Sequence, residues 1–327
     1  MSTQLKRALV TCEITDDFLL QLRDRGFEVK WDGWGRTGIN MDKQRLITIL
    51  QNCDVAFVEL ESIDREVIEN CPSLRFIGVA RGTPVNIDLD LCSERGITVA
   101  STPARNADAV ADYCLAMMIV ASRAIFPSVL HLKKEGWNYK GQLPYLQFRG
   151  RELHNLNVGL YGLGNIGFRV AKRLHYGFGT NVFFYDPFVT DQVEAKKLNS
   201  LDELFSQSDI VSCHSPVNDA TKYSITSGLL DKLGAGGLLV NAARAGLVDE
   251  DLLFDYLQQN KIAGAVLDVY WSEPLDVRSK WLNLENVICT PHIAGATEDV
   301  IINHCRKLLH ELDRWLLVVS GKEIINE

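Results

Sequence analysis

Gly162-Leu-Gly164-Asn165-Ile166-Gly167 lies between an apolar run, Asn157-Val-Gly-Leu-Tyr161, and a helix-forming stretch, Phe168–His175. In such a strand–turn–helix the first glycine turns the chain and the second lets backbone approach a pyrophosphate. The third lets helix and strand pack closely. The first N–H groups of the helix, Asn165 and Ile166 included, then face phosphate oxygens. The next apolar run, Val182-Phe-Phe-Tyr185, ends on Asp186, 24 residues after Gly162. A carboxylate there accepts hydrogen bonds from an adenosine ribose and repels a 2′-phosphate, which favours NAD over NADP.

Three later segments each close a strand: Asn241-Ala242-Ala-Arg244, Leu267-Asp268-Val-Tyr-Trp-Ser-Glu273-Pro274, and Thr290-Pro-His292-Ile-Ala-Gly295. Ligands of open α/β sheets bind beyond the carboxyl ends of the strands, so these residues meet the cofactor end. A guanidinium fork, a carboxylate and an imidazole that titrates near neutrality converge there. Singly, each has a plainer reading as surface charge, loop residue or turn residue. Behind a dinucleotide turn they read together as a catalytic set. Trp271 is open between core, substrate wall and subunit contact. His131, His175, His304 and His310 lie on helices without a matching motif and read as structural or solvated.

Positioning these groups requires alternating strands and helices, and the chain has that pattern from its start. Strands are expected at 8–12, 28–31, 55–58, 76–80 and 98–100, with helices at 16–25, 42–51, 64–69 and 89–95 between them. One continuous helical stretch follows from Asn106 to about Glu135, apolar nearly all round in its first half. From Arg151 the alternation restarts, with strands near 157–161, 182–185, 210–214, 238–241, 264–268 and 287–289. A last helix, Thr297 to about Val319, has one apolar face and would carry the chain back to the first domain. The class is therefore α/β: a Rossmann dinucleotide-binding domain, 106–296, inserted in a flavodoxin-like substrate domain, 1–105 plus 297–327.

The 327 residues carry a formal charge of −8 with 23% charged and 46% hydrophobic residues, which suits a folded two-domain protein and argues against a nucleic-acid surface. Eight cysteines with no CxxC pair read as reduced core thiols rather than a metal site or disulfide framework. After Lys6 and Arg7 the apolar run is only Ala8-Leu9-Val10, too short for a signal sequence, and nothing approaches a membrane span. A cytoplasmic protein with no metal is expected.

In the order and type of these motifs the chain resembles the D-isomer-specific 2-hydroxyacid dehydrogenases, a family that includes phosphoglycerate, glyoxylate/hydroxypyruvate and formate dehydrogenases. The resemblance runs from the Arg81-Gly82-Thr83 loop to the last helix. It implies hydride transfer between NAD(H) and a small 2-oxo or D-2-hydroxy acid. His292 would be the proton-transfer group and Glu273 the partner holding its tautomer and charged form. Arg244 would bind the substrate carboxylate and carbonyl, Asp268 would contact the nicotinamide carboxamide, and His214, Ser215 and Pro216 at the end of the strand bordering the cofactor, with Ala242 and His292, would complete the cofactor contacts. A homodimer through the nucleotide domain, using 106–135 and the loop to Gly150, is also implied, and no feedback domain is expected after the last helix. The rival reading is a non-enzymatic, NAD-sensing scaffold or corepressor on the same fold.

The substrate loop departs from the family pattern G-x-G-V-D-N-[IV]-D. Here Arg81-Gly82-Thr83-Pro84-Val85-Asn86-Ile87-Asp88 is one residue shorter, and Pro84 removes a donor from the carboxylate cradle. Arg81, Gly82, Thr83 and Val85 are the candidates to line it. Glu59 stands where many phosphoglycerate dehydrogenases have Arg; it would repel a phosphate, accept hydroxyl hydrogen bonds, or pair with Arg81. Asp108 likewise stands where the family has a positive charge. Both argue against a phosphorylated substrate.

Overall fold

The computed structural model describes residues 6–137, 143–190 and 192–321. The chain divides into two compact units, Met1–Asn106 with Thr297–Glu327, and Ala107–Ala296.

In the first unit, β1 (Lys6–Val10), β2 (Phe27–Trp31), β3 (Val55–Val58), β4 (Phe76–Val79) and β5 (Thr98–Ser101) form one parallel sheet. Its order, β2-β1-β3-β4-β5, is flavodoxin-like. Side chains alternate across it as strand geometry demands. Ala8, Val10, Phe57 and Phe76 join one core with Phe18 and Leu22, whereas Leu9, Ala56, Val58 and Ile77 join the other with Leu46, Val67 and Leu91. The last helix, Glu298–Val319, completes the first of these cores: Leu308 and Leu312 are fully buried in it, and the Trp315 ring lies 5.4 Å from Phe76. The returning helix is further tied by a two-point ion pair from Arg25 to Asp313 at 2.6 and 2.7 Å.

The second unit holds β6 (Asn157–Tyr161), β7 (Asn181–Tyr185), β8 (Lys196–Lys197), β9 (Ile210–Cys213), β10 (Leu238–Asn241), β11 (Gly264–Leu267) and β12 (Val287–Cys289). Their order is β12-β11-β10-β9-β6-β7-β8, all parallel, so β6 lies inside the sheet between β9 and β7, and the sheet is a Rossmann sheet. Near-continuous apolar strands such as Leu238-Leu-Val reflect burial on both faces.

Two expectations are corrected. The two-residue β8 was not anticipated; a Lys-Lys pair has no strand signature and is set only by pairing with Phe183 and Phe184. The single helix from Asn106 to Glu135 is two, Ala107–Ser122 and Ile125–Glu135, bent by 61°. Pro127 has no N–H for the Arg123 carbonyl, Ala124 takes a left-handed φ of +48°, and the Ser122 carbonyl accepts from Arg151 N–H at 2.8 Å instead. The first helix is buried at Val110, Ala111, Cys114 and Met118, while the second has no buried residue and exposes Ile125, Phe126, Val129, Leu130 and Leu132. Among the described residues no single helix is long and apolar enough to cross a membrane. All eight cysteines are free, seven of them buried.

Candidate active site

The glycine turn after β6 has the geometry its spacing requires. Gly162 sits at φ +97°, where a side chain is strained, and a Cβ on Gly167 would lie 2.3 Å from the Gly162 carbonyl oxygen. A Cβ on Gly164, by contrast, would meet nothing within 4 Å. The helix Asn165–Arg173 starts there with no side-chain cap, leaving its first N–H groups to a ligand. Asp186 follows β7 and accepts Leu163 N–H and Phe188 N–H, both at 2.9 Å, so the acid at the ribose position also clamps the turn. Open space, uncapped donors and a carboxylate acceptor fit a dinucleotide.

His214 follows β9. Its Nε2 is buried without a partner among the described residues, and burial pushes its pKa down to about 4, so the ring is neutral near pH 7. Ser215 is buried against Gly162, and Pro216 is exposed beyond it.

After β10, the fully buried Asn241 ties its own loop: its side chain accepts from Ala243 N–H at 3.1 Å and donates to the Arg244 carbonyl at 2.9 Å. Ala242 is half-buried within that loop, and Arg244 is exposed at its end. One Arg244 nitrogen donates to the Ala243 carbonyl at 2.6 Å.

After β11, Asp268 is fully buried. It accepts from Thr290 Oγ1 at 2.6 Å, Ile293 N–H at 2.9 Å and Ala294 N–H at 2.7 Å. This carboxylate therefore holds the loop that carries His292. Tyr113 extends the grip through a hydroxyl bond to Thr290, and Tyr270 donates to the Leu267 and Thr290 carbonyls at 3.0 and 2.9 Å. Sequence reasoning missed Asn241, Tyr113, Thr290 and Tyr270 as supports because none has a motif of its own. Trp271 resolves toward the core, stacked on Trp281 at 5.3 Å and donating to the Val248 carbonyl.

Glu273 and His292 meet at the end of this construction, with Glu273 Oε2 2.8 Å from His292 Nδ1. Glu273 Oε1 accepts from Tyr270 N–H at 2.9 Å. Burial alone would raise the Glu273 pKa, but hydrogen bonds from His292 and Tyr270 and the charge of Arg244 outweigh it and hold the carboxyl below its ordinary value. His292 has a left-handed φ of +55°, a conformation that costs free energy in a non-glycine residue and is held by the loop around it. Its side chain is 53% exposed. With Nδ1 engaged, Nε2 is the ring nitrogen open to a ligand.

In the first unit, Gly82 and Thr83 are exposed, and no backbone partner occupies their N–H groups among the described residues. Thr102 N–H and Oγ1 fix the Arg81 carbonyl at 2.8 and 3.2 Å. Glu59 does not pair with the Arg81 side chain as such; Arg81 reaches only its carbonyl, at 3.5 Å, while the Glu59 carboxylate is bound by Arg105. The Asp108 carboxylate pairs with Arg169 and Arg173, both at 2.9 Å, on a neighbouring helix. Among the described residues no group of three His, Cys, Asp or Glu side chains is placed to hold a metal ion.

A Rossmann sheet with an open glycine turn and a His–Glu–Arg edge defines a dinucleotide-binding protein of the dehydrogenase class. The family described as D-isomer specific 2-hydroxyacid dehydrogenase, NAD binding domain, matches residues 115–294. The chain is 36% identical over 322 residues to a putative 2-hydroxyacid dehydrogenase, YoaD, of Bacillus subtilis, covering 97% of this chain and 92% of that one. It is 34% identical over 301 residues to a D-3-phosphoglycerate dehydrogenase of Archaeoglobus fulgidus, covering 91% of this chain but only 55% of that protein's length. Among solved structures, the NADPH-dependent glyoxylate/hydroxypyruvate reductase SmGhrB of Sinorhizobium meliloti superposes with a TM-score of 0.79 at 25% identity, covering 95% of each chain. The chain belongs to the D-isomer-specific 2-hydroxyacid dehydrogenase family.

Proposed function

We propose that this protein interconverts a small 2-oxo acid and its D-2-hydroxy acid with NAD(H), using His292, Glu273 and Arg244. The observation that carries the reading is the 2.8 Å His292–Glu273 pair at the carboxyl edge of the dinucleotide sheet. The turn Gly162–Gly167 and Asp186 would hold the dinucleotide, which when bound would supply or accept the hydride at the carbonyl carbon. His292 Nε2 gives a proton to the carbonyl oxygen as that bond becomes C–OH, and takes it back on oxidation. The Glu273 carboxylate keeps Nδ1 protonated and stabilises the ring when both nitrogens carry protons. Arg244 directs its remaining donors at the substrate carboxylate and at the oxygen gaining charge. Arg81 and the N–H groups of Gly82 and Thr83 line the substrate. Asp268 is a positioning residue acting through the His292 loop.

Asp186 supports NAD over NADP, because a 2′-phosphate would meet a carboxylate already fixed to the turn. In His292→Ala, NADH affinity measured by fluorescence titration stays at the wild-type value and exceeds that for NADPH, while kcat on 2-oxo acids falls by about 10²–10⁴-fold. Unchanged kcat removes His292 from its role. No turnover by the wild type with any 2-oxo acid turns the reading to a dinucleotide-sensing scaffold.

The exposed apolar residues of Ile125–Glu135, with Leu143, Tyr145 and Leu146 after it, support a homodimer through the second unit. Light scattering at the monomer mass would overturn it. Residues 138–142 of the proposed dimer segment lie outside the described residues. Eight free cysteines favour a reducing compartment, and we place the enzyme in the cytoplasm.

A further inference from the structure

The carboxyl edge of the first sheet carries an ionised cluster that the reaction scheme does not use. Glu59 directly follows β3 and is 8% exposed; Arg105 follows β5 and donates to its Oε1. A second Arg105 nitrogen donates to His304 Nδ1 at 2.8 Å, and His304 Nε2–H donates to the Glu13 carbonyl, beyond β1, at 2.7 Å. Arginine is a donor only, so His304 is held as the neutral Nε2–H tautomer. Each contact in this chain therefore fixes the next: Arg105 holds the Glu59 carboxylate, and His304 holds Arg105.

Arg105 is engaged by Glu59 and His304, and Arg81 is a second cation of this edge. One substrate carboxylate uses it. In a 2-1-3-4-5 sheet the ligand crevice lies outside the carboxyl ends of β1 and β3, bordered here by Glu13, Glu59 and Glu61. Glu59 Oε2 carries no hydrogen bond among the described residues and is not among the polar atoms sealed from solvent. It is an acceptor without a donor at the place where a ligand would enter.

We propose that Glu59, braced by Arg105 and His304, is a specificity-determining residue that selects 2-oxo acids with an uncharged, hydroxyl-bearing tail and rejects those with a phosphate or second carboxylate. This rests on the hydride-transfer reading above. A tail hydroxyl donates to Oε2, whereas a methyl leaves that lone pair dry and unpaired. A tail anion meets the like charge of the Glu59 carboxylate at the position where an uncharged hydroxyl would donate.

The test is steady-state reduction of glyoxylate, pyruvate, hydroxypyruvate and 3-phosphohydroxypyruvate by NADH or NADPH. For the wild type, kcat/KM for hydroxypyruvate exceeds that for its phosphate ester by roughly 100-fold and that for pyruvate by roughly tenfold. Glu59→Gln keeps the side-chain shape and removes the charge. Its hydroxypyruvate-to-ester ratio narrows at least tenfold, chiefly through KM for the ester, a selective shift that loss of structure alone does not produce. Should the variant fail to fold, the wild-type ratio decides by itself. Use of the ester as readily as hydroxypyruvate, or an unchanged ratio in a folded Glu59→Gln, overturns the inference while glyoxylate turnover leaves the reaction standing. No turnover of any acid, glyoxylate included, overturns both.

Discussion

At the carboxyl edge of the second sheet, buried neutral and acidic acceptors hold loops so that ionisable groups remain in solvent. Asn241 and Asp268 are fully buried, and the residues they support, Arg244 and His292, are exposed. At the same edge of the first sheet Glu59 and His304 are themselves buried, and the partly buried Arg105 links them. Two parallel sheets of related topology thus place charge differently. A group that must change protonation during a reaction needs contact with substrate and water. A group that must present one constant charge is better held in a closed network, where each partner restricts the others.

The contrast is broken most directly by removing a buried support and asking whether the exposed group still works. Asp268→Ala leaves Thr290 Oγ1, Ile293 N–H and Ala294 N–H without their acceptor. Denaturant unfolding of the second unit should lose about 3 kcal/mol or more. In the fraction that folds, kcat should fall with little change in dinucleotide affinity, because His292 loses its loop but the glycine turn does not. Full activity in Asp268→Ala would mean that the His292 loop holds itself.

A smaller effect sharpens the first unit's side of the comparison. Burial, with the nearby Arg105 charge acting in the same direction, pushes the His304 pKa down to about 4 against a weaker opposing bond to Glu13. The unfolded chain takes up this proton below about pH 6.5 while the folded chain refuses it until near pH 4. The stability this residue contributes is therefore complete above pH 6.5 and is lost as the pH falls toward 4, by about 2–4 kcal/mol. Urea melts from pH 7 to 4.5 should show a steeper acid loss in wild type than in His304→Gln. His214 has the same depressed pKa in the second unit, so its share of the acid loss should persist in the variant. Identical slopes in the two proteins would show that the network does not hold His304 neutral.

Much of this protein was legible before folding. Apolar alternation located eleven of the twelve strands, since a strand buried on both faces needs short β-branched and aliphatic runs such as Val55-Ala-Phe-Val58. Glycine spacing fixed the dinucleotide turn, because φ +97° at Gly162 and the tight approach at Gly167 are demands on residue type itself. Chain order placed Arg244, Glu273 and His292 after successive strands, and parallel strands bring successive ends to one edge.

What the tertiary structure alone decided is who pairs with whom. Asp108 finds Arg169 and Arg173, 61 and 65 positions away, and the Glu59 carboxylate finds Arg105 rather than Arg81. Arg105 and His304, 199 positions apart, meet because the last helix returns to the first sheet. Asp268 turns into the protein because three donors of the His292 loop lie within its reach. Local sequence sets backbone conformation and the pattern of burial, but a side chain's partner depends on which elements pack together over it. That information exists only once the chain has folded.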